Sequence, residues 1–202
     1  MAEFDKNMRV AVYQEAKKGN YYCGDSYYYQ ETDNEFICAL ADGLGSGEHA
    51  KESSQAVMDV VEENIHADVE QLIKICNERL VGKRGVVLGV LKINFLNDSY
   101  SFSSIGNIGI MTITDDQEKK RSIPNSGYLG GYRRPFKVFE GKMDPGMIFI
   151  MFSDGVNAMD LSAKYFLGKD VDRITETYSS LVGENKNDDT TLIAMKYSRN
   201  KP

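Results

Sequence analysis

The chain has 202 residues, 42% hydrophobic and 27% charged, with a net charge of -6 and a pI near 5.1. That length can bury a substantial core and suits one domain over 1–202, while the acidic balance excludes a general attraction to nucleic acid or to an anionic membrane. Three cysteines and two histidines, with no paired spacing, argue against a zinc site.

The opening "MAEFDKNMRV" carries charges and no apolar centre, so it does not read as an export signal. With an odd, unpaired set of cysteines, the expected location is the cytoplasm. No apolar run approaches the ~20 residues that a membrane helix needs. Nothing signals assembly, and a monomer is expected.

In chain order, Arg9 to Val12 and Tyr27 to Gln30 read as early strands, rich in Val and Tyr. Tyr27, Tyr28 and Tyr29 then face alternately in and out. Glu35 to Ala41, "EFICALA", is a near-continuous apolar run of strand length, which predicts cover on both faces. Two helical patterns follow. Ala50, Val57, Val60, Val61 and Ile65 keep helical spacing, with His49 as a surface residue at the helix start. Val69, Leu72, Ile73, Cys76 and Leu80 form a second apolar face, with Asp68 as its cap and Cys76 in the core.

Strands are predicted over Val86 to Asn94, Ser99 to Ser104 and Ile108 to Thr114. "KKR", Lys119 to Arg121, reads as a solvated loop, and "YRR", Tyr132 to Arg134, as a loop available to a partner. Gly141 to Gly146 reads as a turn feeding a strand from Met147 to Phe152. A helix from Val171 to Leu181 and a strand from Thr191 to Tyr197 complete the order. This is not a regular strand–helix alternation, so antiparallel sheets with helices on their outer faces are expected, an α+β fold.

Four aspartates share a context. Asp42, in "ADGLGSG", and Asp154, in "FSDGV", each follow an apolar strand. Asp188 precedes one, and Asp25 sits in "YCGDSY". An Asp-Gly pair after a strand is ordinarily a turn. Turn chemistry does not account for Gly43, Gly45 and Gly47 in succession, nor for the repeated apolar lead-in. Carboxylates gathered at about 4 Å repel by on the order of 4 kcal/mol per pair at an effective dielectric near 20. Such a cluster calls for protons or cations. Oxygen ligands without His or Cys suit hard ions, Mg²⁺ or Mn²⁺ first and Ca²⁺ after them. Two ions about 3.5–4 Å apart can activate water and grip phosphate oxygens, which is phosphate ester hydrolysis.

The ordered set "YYCGDS", "ADGLGSG", "SIGNIGIM", "FSDGV" and "NDDTTLI" resembles the metal-dependent serine/threonine phosphatases of the PPM, or type 2C, family over nearly the whole chain. "ICALADGLGSG", "KRG", "LKINF" and "GYL" are most similar to its compact bacterial stressosome members. The resemblance implies an α-β-β-α sandwich of two antiparallel sheets flanked by helices. It implies a pair of Mn²⁺ or Mg²⁺ ions, bridged by Asp42 and bound by the Gly43 carbonyl. Asp154 and Asp188 would complete one ion's shell, and Asp25 would hold water on the other. Asp42 and Asp25 are thereby the candidate catalytic residues. Implied substrates are phosphorylated STAS-domain stressosome proteins, whose dephosphorylation resets the general stress response.

The chain departs from the family pattern at several positions. Gly24 stands where many members carry Glu, Leu44 where many eukaryotic members carry a His acid, and Asn20 where many carry a phosphate-gripping Arg. Asn107 and Ala158 align with acids of a third metal site, so two ions are expected. These departures also admit a weak member that binds a phosphoprotein partner without turnover.

Overall fold

The structure is a computed structural model, and it describes residues 6–157, 160–161, 164–168, 170–182 and 187–198. Its strands are β1 (Met8–Glu15), β2 (Asp25–Glu31), β3 (Glu35–Gly43), β4 (Val86–Asn94), β5 (Ser99–Ile105), β6 (Gly109–Ile113), β7 (Lys119–Arg121), β8 (Phe139–Lys142), β9 (Ile148–Phe152) and β10 (Thr190–Tyr197). The helices are α1 (Glu48–Glu63), α2 (Val69–Arg79) and α3 (Val171–Val182), with a 3-10 turn at Lys164–Leu167. The strands form two antiparallel sheets of five, in the orders β2-β3-β4-β5-β8 and β1-β10-β9-β6-β7.

Side-chain alternation explains the layers. In β3, Phe36, Cys38 and Leu40 point between the sheets, where they meet Phe149, Met151, Ile193 and Met195. The intervening Ile37, Ala39 and Ala41 point the other way, onto Val57, Val61, Leu72 and Cys76 of α1 and α2. β3 is therefore covered on both faces, as its unbroken apolar run requires. On the opposite outer face, Ile174 and Tyr178 of α3 pack on Ala11, Ile150, Leu192 and Ala194. The result is the expected α-β-β-α order.

Local signals behave as chemistry dictates. Asp68 caps α2 in a full capping box: its side chain accepts from Gln71 N at 2.8 Å, and Gln71 Oε1 accepts from Asp68 N at 3.1 Å. Cys76 is buried, His49 is exposed at the start of α1, and Tyr28 turns in between exposed Tyr27 and Tyr29. Two readings need correction. Lys119–Arg121 is not a loop but the edge strand β7, and Phe139–Lys142 forms β8, so the turn expected from Gly141 begins only after Lys142. Both are short edge strands, the kind that tolerate charge along an unpaired side. Among the described residues no helix is long and apolar enough to cross a membrane.

Candidate metal centre

The alternation that builds the core also builds a polar floor at one end of the sandwich. Counting by twos along the inward face, β3 runs Phe36, Cys38, Leu40 and then Asp42. β10, read backwards, runs Met195, Ile193 and then Thr191. Phe149 and Met151 of β9 are followed by Ser153, and Val10 and Val12 of β1 by Gln14. Asp25 is the direct cross-strand partner of Asp42. Ser153 Oγ and Thr191 Oγ1 both donate to Asp25 Oδ2, each at 2.7 Å. Thr191 N donates to Ser153 Oγ at 2.9 Å, and Gln14 Nε2 to Thr191 Oγ1 at 3.0 Å. Asp25 thus joins one sheet to the other.

Asp25 is fully buried, and its Oδ1 has no hydrogen-bond partner among the described residues. Burial pushes its carboxyl up to about 6, against the Thr191 and Ser153 hydroxyls that favour the charged form; the nearby Asp189 and Asp154 add to the rise. Asp42 is pushed further, to about 8, first by burial and then by the charges of Asp25, Asp154, Asp188 and Asp189. Asp154 is raised too, by burial and by Asp188, while its Oδ2 accepts from Asn107 Nδ2 at 2.6 Å. Asp188 lies 3.9 Å from Lys17 Nζ with a largely exposed side chain. All four sequence-predicted aspartates therefore gather within electrostatic reach of one another. Ala158 lies outside the described residues.

Asp189, Ser153 and Thr191 escape a reading along the chain. Asp189 is buried and clasps the preceding loop: Lys17 N donates to Oδ1 at 2.8 Å and Gly24 N to Oδ2 at 3.0 Å. The signal was present, because counting by twos from Ile193 through Thr191 arrives at Asp189. The clasp also explains the departure at Gly24. A Cβ there would stand 2.9 Å from Asp189 Oδ2, so the acid that many relatives carry has little room.

Gly43 has a packing cause. A Cβ at Gly43 would lie 2.0 Å from the Ala50 carbonyl oxygen, so the backbone of α1 rests directly on this residue. Lys51 Nζ donates to the Asp25 carbonyl and to Ser26 Oγ, and Ser54 Oγ to the Gly24 carbonyl, fastening α1 beside the site.

Among the described residues, no three His, Cys, Asp or Glu side chains close into a ready-made shell for one ion. Mutual repulsion accounts for this: Asp154 leans to Asn107 and Asp188 toward Lys17. The donors nonetheless fit a hard divalent cation. They are all oxygen, one buried carboxylate oxygen lacks a partner among the described residues, and burial and the neighbouring carboxylates raise Asp25 and Asp42.

Comparison with known proteins agrees with this chemistry. The profile of the Stage II sporulation protein E (SpoIIE) family matches residues 32–198. Phosphoserine phosphatase RsbX of Bacillus subtilis (strain 168) is 36% identical over 191 residues, 95% of this chain and 96% of that one. The crystal structure of RsbX in complex with magnesium superposes with a TM-score of 0.88 at 35% identity, covering 97% of this chain and 98% of that one. Two more distant chains share the fold. One comes from a structure of the bacterial stressosome as a modular system adapted to control secondary messenger signaling (TM-score 0.80, 20% identity, 94% and 100% covered). The other is the catalytic domain of the serine threonine phosphatase PstP with 2 manganese ions (TM-score 0.77, 16% identity, 95% and 99% covered). A sandwich of this topology, matched by that profile over most of its length, belongs to the SpoIIE family of PPM metal-dependent phosphatases.

Proposed function

We propose that this protein is a Mn²⁺- or Mg²⁺-dependent phosphoserine/phosphothreonine phosphatase that binds two ions and acts on phosphorylated STAS-domain proteins of a stressosome. One observation carries the reading: a fully buried carboxylate, Asp25, has one oxygen held by two hydroxyls and the other without a partner among the described residues, directly across the strand pair from Asp42. Asp42, Asp25, Asp154 and Asp188, with the Gly43 carbonyl, would hold the ions. Divalent cations supply there the activation of water and the neutralisation of phosphate charge.

The chain's own residues do the rest. Thr191 and Ser153 fix the Asp25 carboxylate in one rotamer, so little side-chain entropy remains to be lost when it ligates. The strand pair β2–β3 sets Asp25 and Asp42 side by side. α1, resting on Gly43, holds the turn after β3 in place. Asn107 offers Asp154 a neutral donor where an acid would add repulsion. Leu44 packs against the inter-sheet core and offers no proton, so the leaving group takes its proton from water or from another residue.

The crowding at Gly24 supports weaker metal affinity than a member with a Glu there would have, which is the specific ground for the non-hydrolysing alternative. The deciding experiment is phosphate release from phosphorylated stressosome proteins with and without Mn²⁺. Release that depends on Mn²⁺ and is lost in Asp42→Asn supports the phosphatase reading. Tight partner binding without release at saturating Mn²⁺ supports the alternative.

A further inference from the structure

Asn20 leaves the carboxylate end without the usual arginine, so a phosphoryl dianion arriving there needs a cation from another part of the chain. Most basic side chains near that end are already engaged. Lys17 faces Asp188 at 3.9 Å, and Lys51 Nζ donates to the Asp25 carbonyl and Ser26 Oγ, each at 2.9 Å. Lys83 Nζ donates to Glu52 at 2.6 Å, and Arg134 Nη1 to the Tyr128 carbonyl at 2.5 Å. Arg84 is exposed and has no hydrogen bond or ion pair among the described residues.

Its placement follows from the strand register. Val87 of β4 pairs with Asp42 and Val86 with Gly43. The next step outward is Leu44 N donating to the Gly85 carbonyl at 2.9 Å, which brings Arg84 abreast of Gly45. The side chain takes up that position: a Cβ on Gly45 would stand 2.3 Å from Arg84 Nη1, so the guanidinium lies against the bare backbone three residues beyond Asp42. Gly45 also has φ of +102°, which disfavours a side chain independently. The arginine's base is fixed as well. Gly85 is packed so closely by Tyr128 and the Leu129 carbonyl that a Cβ there would meet them at 2.5 and 2.8 Å. A planar fork on a fixed base, with no hydrogen bond or ion pair among the described residues, is suited to two phosphoryl oxygens.

We propose that the Arg84 guanidinium binds the non-bridging oxygens of the substrate's phosphoryl group at the Gly45 edge of the carboxylate cluster, and holds inorganic phosphate there after hydrolysis. The proposal rests on the phosphatase reading. Its test compares Arg84→Met, Arg84→Lys and Asn20→Ala in the full chain, with p-nitrophenyl phosphate and Mn²⁺. kcat and KM are measured separately, with inhibition by inorganic phosphate and the Mn²⁺-induced rise in melting temperature. Arg84→Met is expected to raise KM and the phosphate inhibition constant about 10-fold or more, with Lys recovering part of the loss. The Mn²⁺-induced melting shift is expected to stay unchanged, and Asn20→Ala to alter neither constant.

Unchanged KM and phosphate inhibition in Arg84→Met would overturn the proposal. So would a loss carried by Asn20→Ala, or a lost Mn²⁺ melting shift in Arg84→Met. If the wild-type chain hydrolyses nothing with Mn²⁺, the phosphatase reading fails by itself. Calorimetric titration of inorganic phosphate into the Mn²⁺-loaded chain then decides for Arg84: weaker binding in Arg84→Met upholds it, and equal binding rejects it.

Discussion

Asp25 is enclosed by protein, yet among the described residues only Oδ2 has partners, one on β10 and one just past the end of β9 in the opposite sheet. Thr191→Val keeps the shape and removes one donor. It should lower Mn²⁺-dependent phosphatase activity by about 10–100-fold, as loss of an outer partner of a metal ligand commonly does, checked by steady-state kinetics across a Mn²⁺ titration. The raised carboxyls give a second expectation. In metal-free protein both Asp25, near 6, and Asp42, near 8, titrate above the unfolded-chain value of about 3.9. A group raised on folding contributes stability that is complete below its unfolded value and lost as pH rises through its folded one. The urea midpoint in EDTA should therefore fall between pH 4 and pH 8, and added Mn²⁺ should flatten the fall. Asp42, Asp154 and Asp188 stand out in the sequence because each adjoins an apolar strand, whereas Asp25 stands out only through the resemblance carried by "YCGDSY". Ser153 and Thr191 do not, because a hydroxyl beside an aspartate is ordinary turn chemistry and its role here is a contact between sheets.

Among the elements, α1 is the one whose position the site depends on, and Gly43 is where that dependence is tightest. Gly43→Ala sets a Cβ against the Ala50 carbonyl and should destabilise the protein by about 1–3 kcal/mol, toward the upper end because a backbone atom must yield. The measurement is the urea midpoint. Asp68→Ala removes the α2 capping box and should cost about 1 kcal/mol by the same assay while leaving turnover intact, since α2 contributes nothing to the carboxylate end. Periodicity located both of these helices, as well as α3, because each buries a long apolar stripe. It passed over β7 and β8, whose burial is slight: "KKR" and "FEGK" have no apolar face to count, and only pairing with β6 and β5 makes them strands.

Across the whole molecule, the two sheets share one apolar interior, and Asp25 with Ser153 and Thr191 adds a polar tie at its end. Unfolding by calorimetry should accordingly show a single transition. Ions bound only by the native state should raise it. At a free Mn²⁺ concentration of a hundred times Kd the gain is about 2.7 kcal/mol for each ion bound. That corresponds to roughly 5–10 °C at about 2–4 °C per kcal/mol for a chain of this size. The layer order was readable from the succession of strands and helices, and the strand neighbours were not. β1 and β10 lie side by side although nearly the whole chain separates them, and no local pattern announces a pairing so remote.

That pairing bears on how the protein is born. The strand that brings Thr191 to Asp25 is the last of the described strands in chain order, and it must slot between β1 and β9, both made earlier. Until then the nascent polypeptide holds Asp25 without its Thr191 partner, so the carboxylate cluster should close abruptly, once β10 has been added.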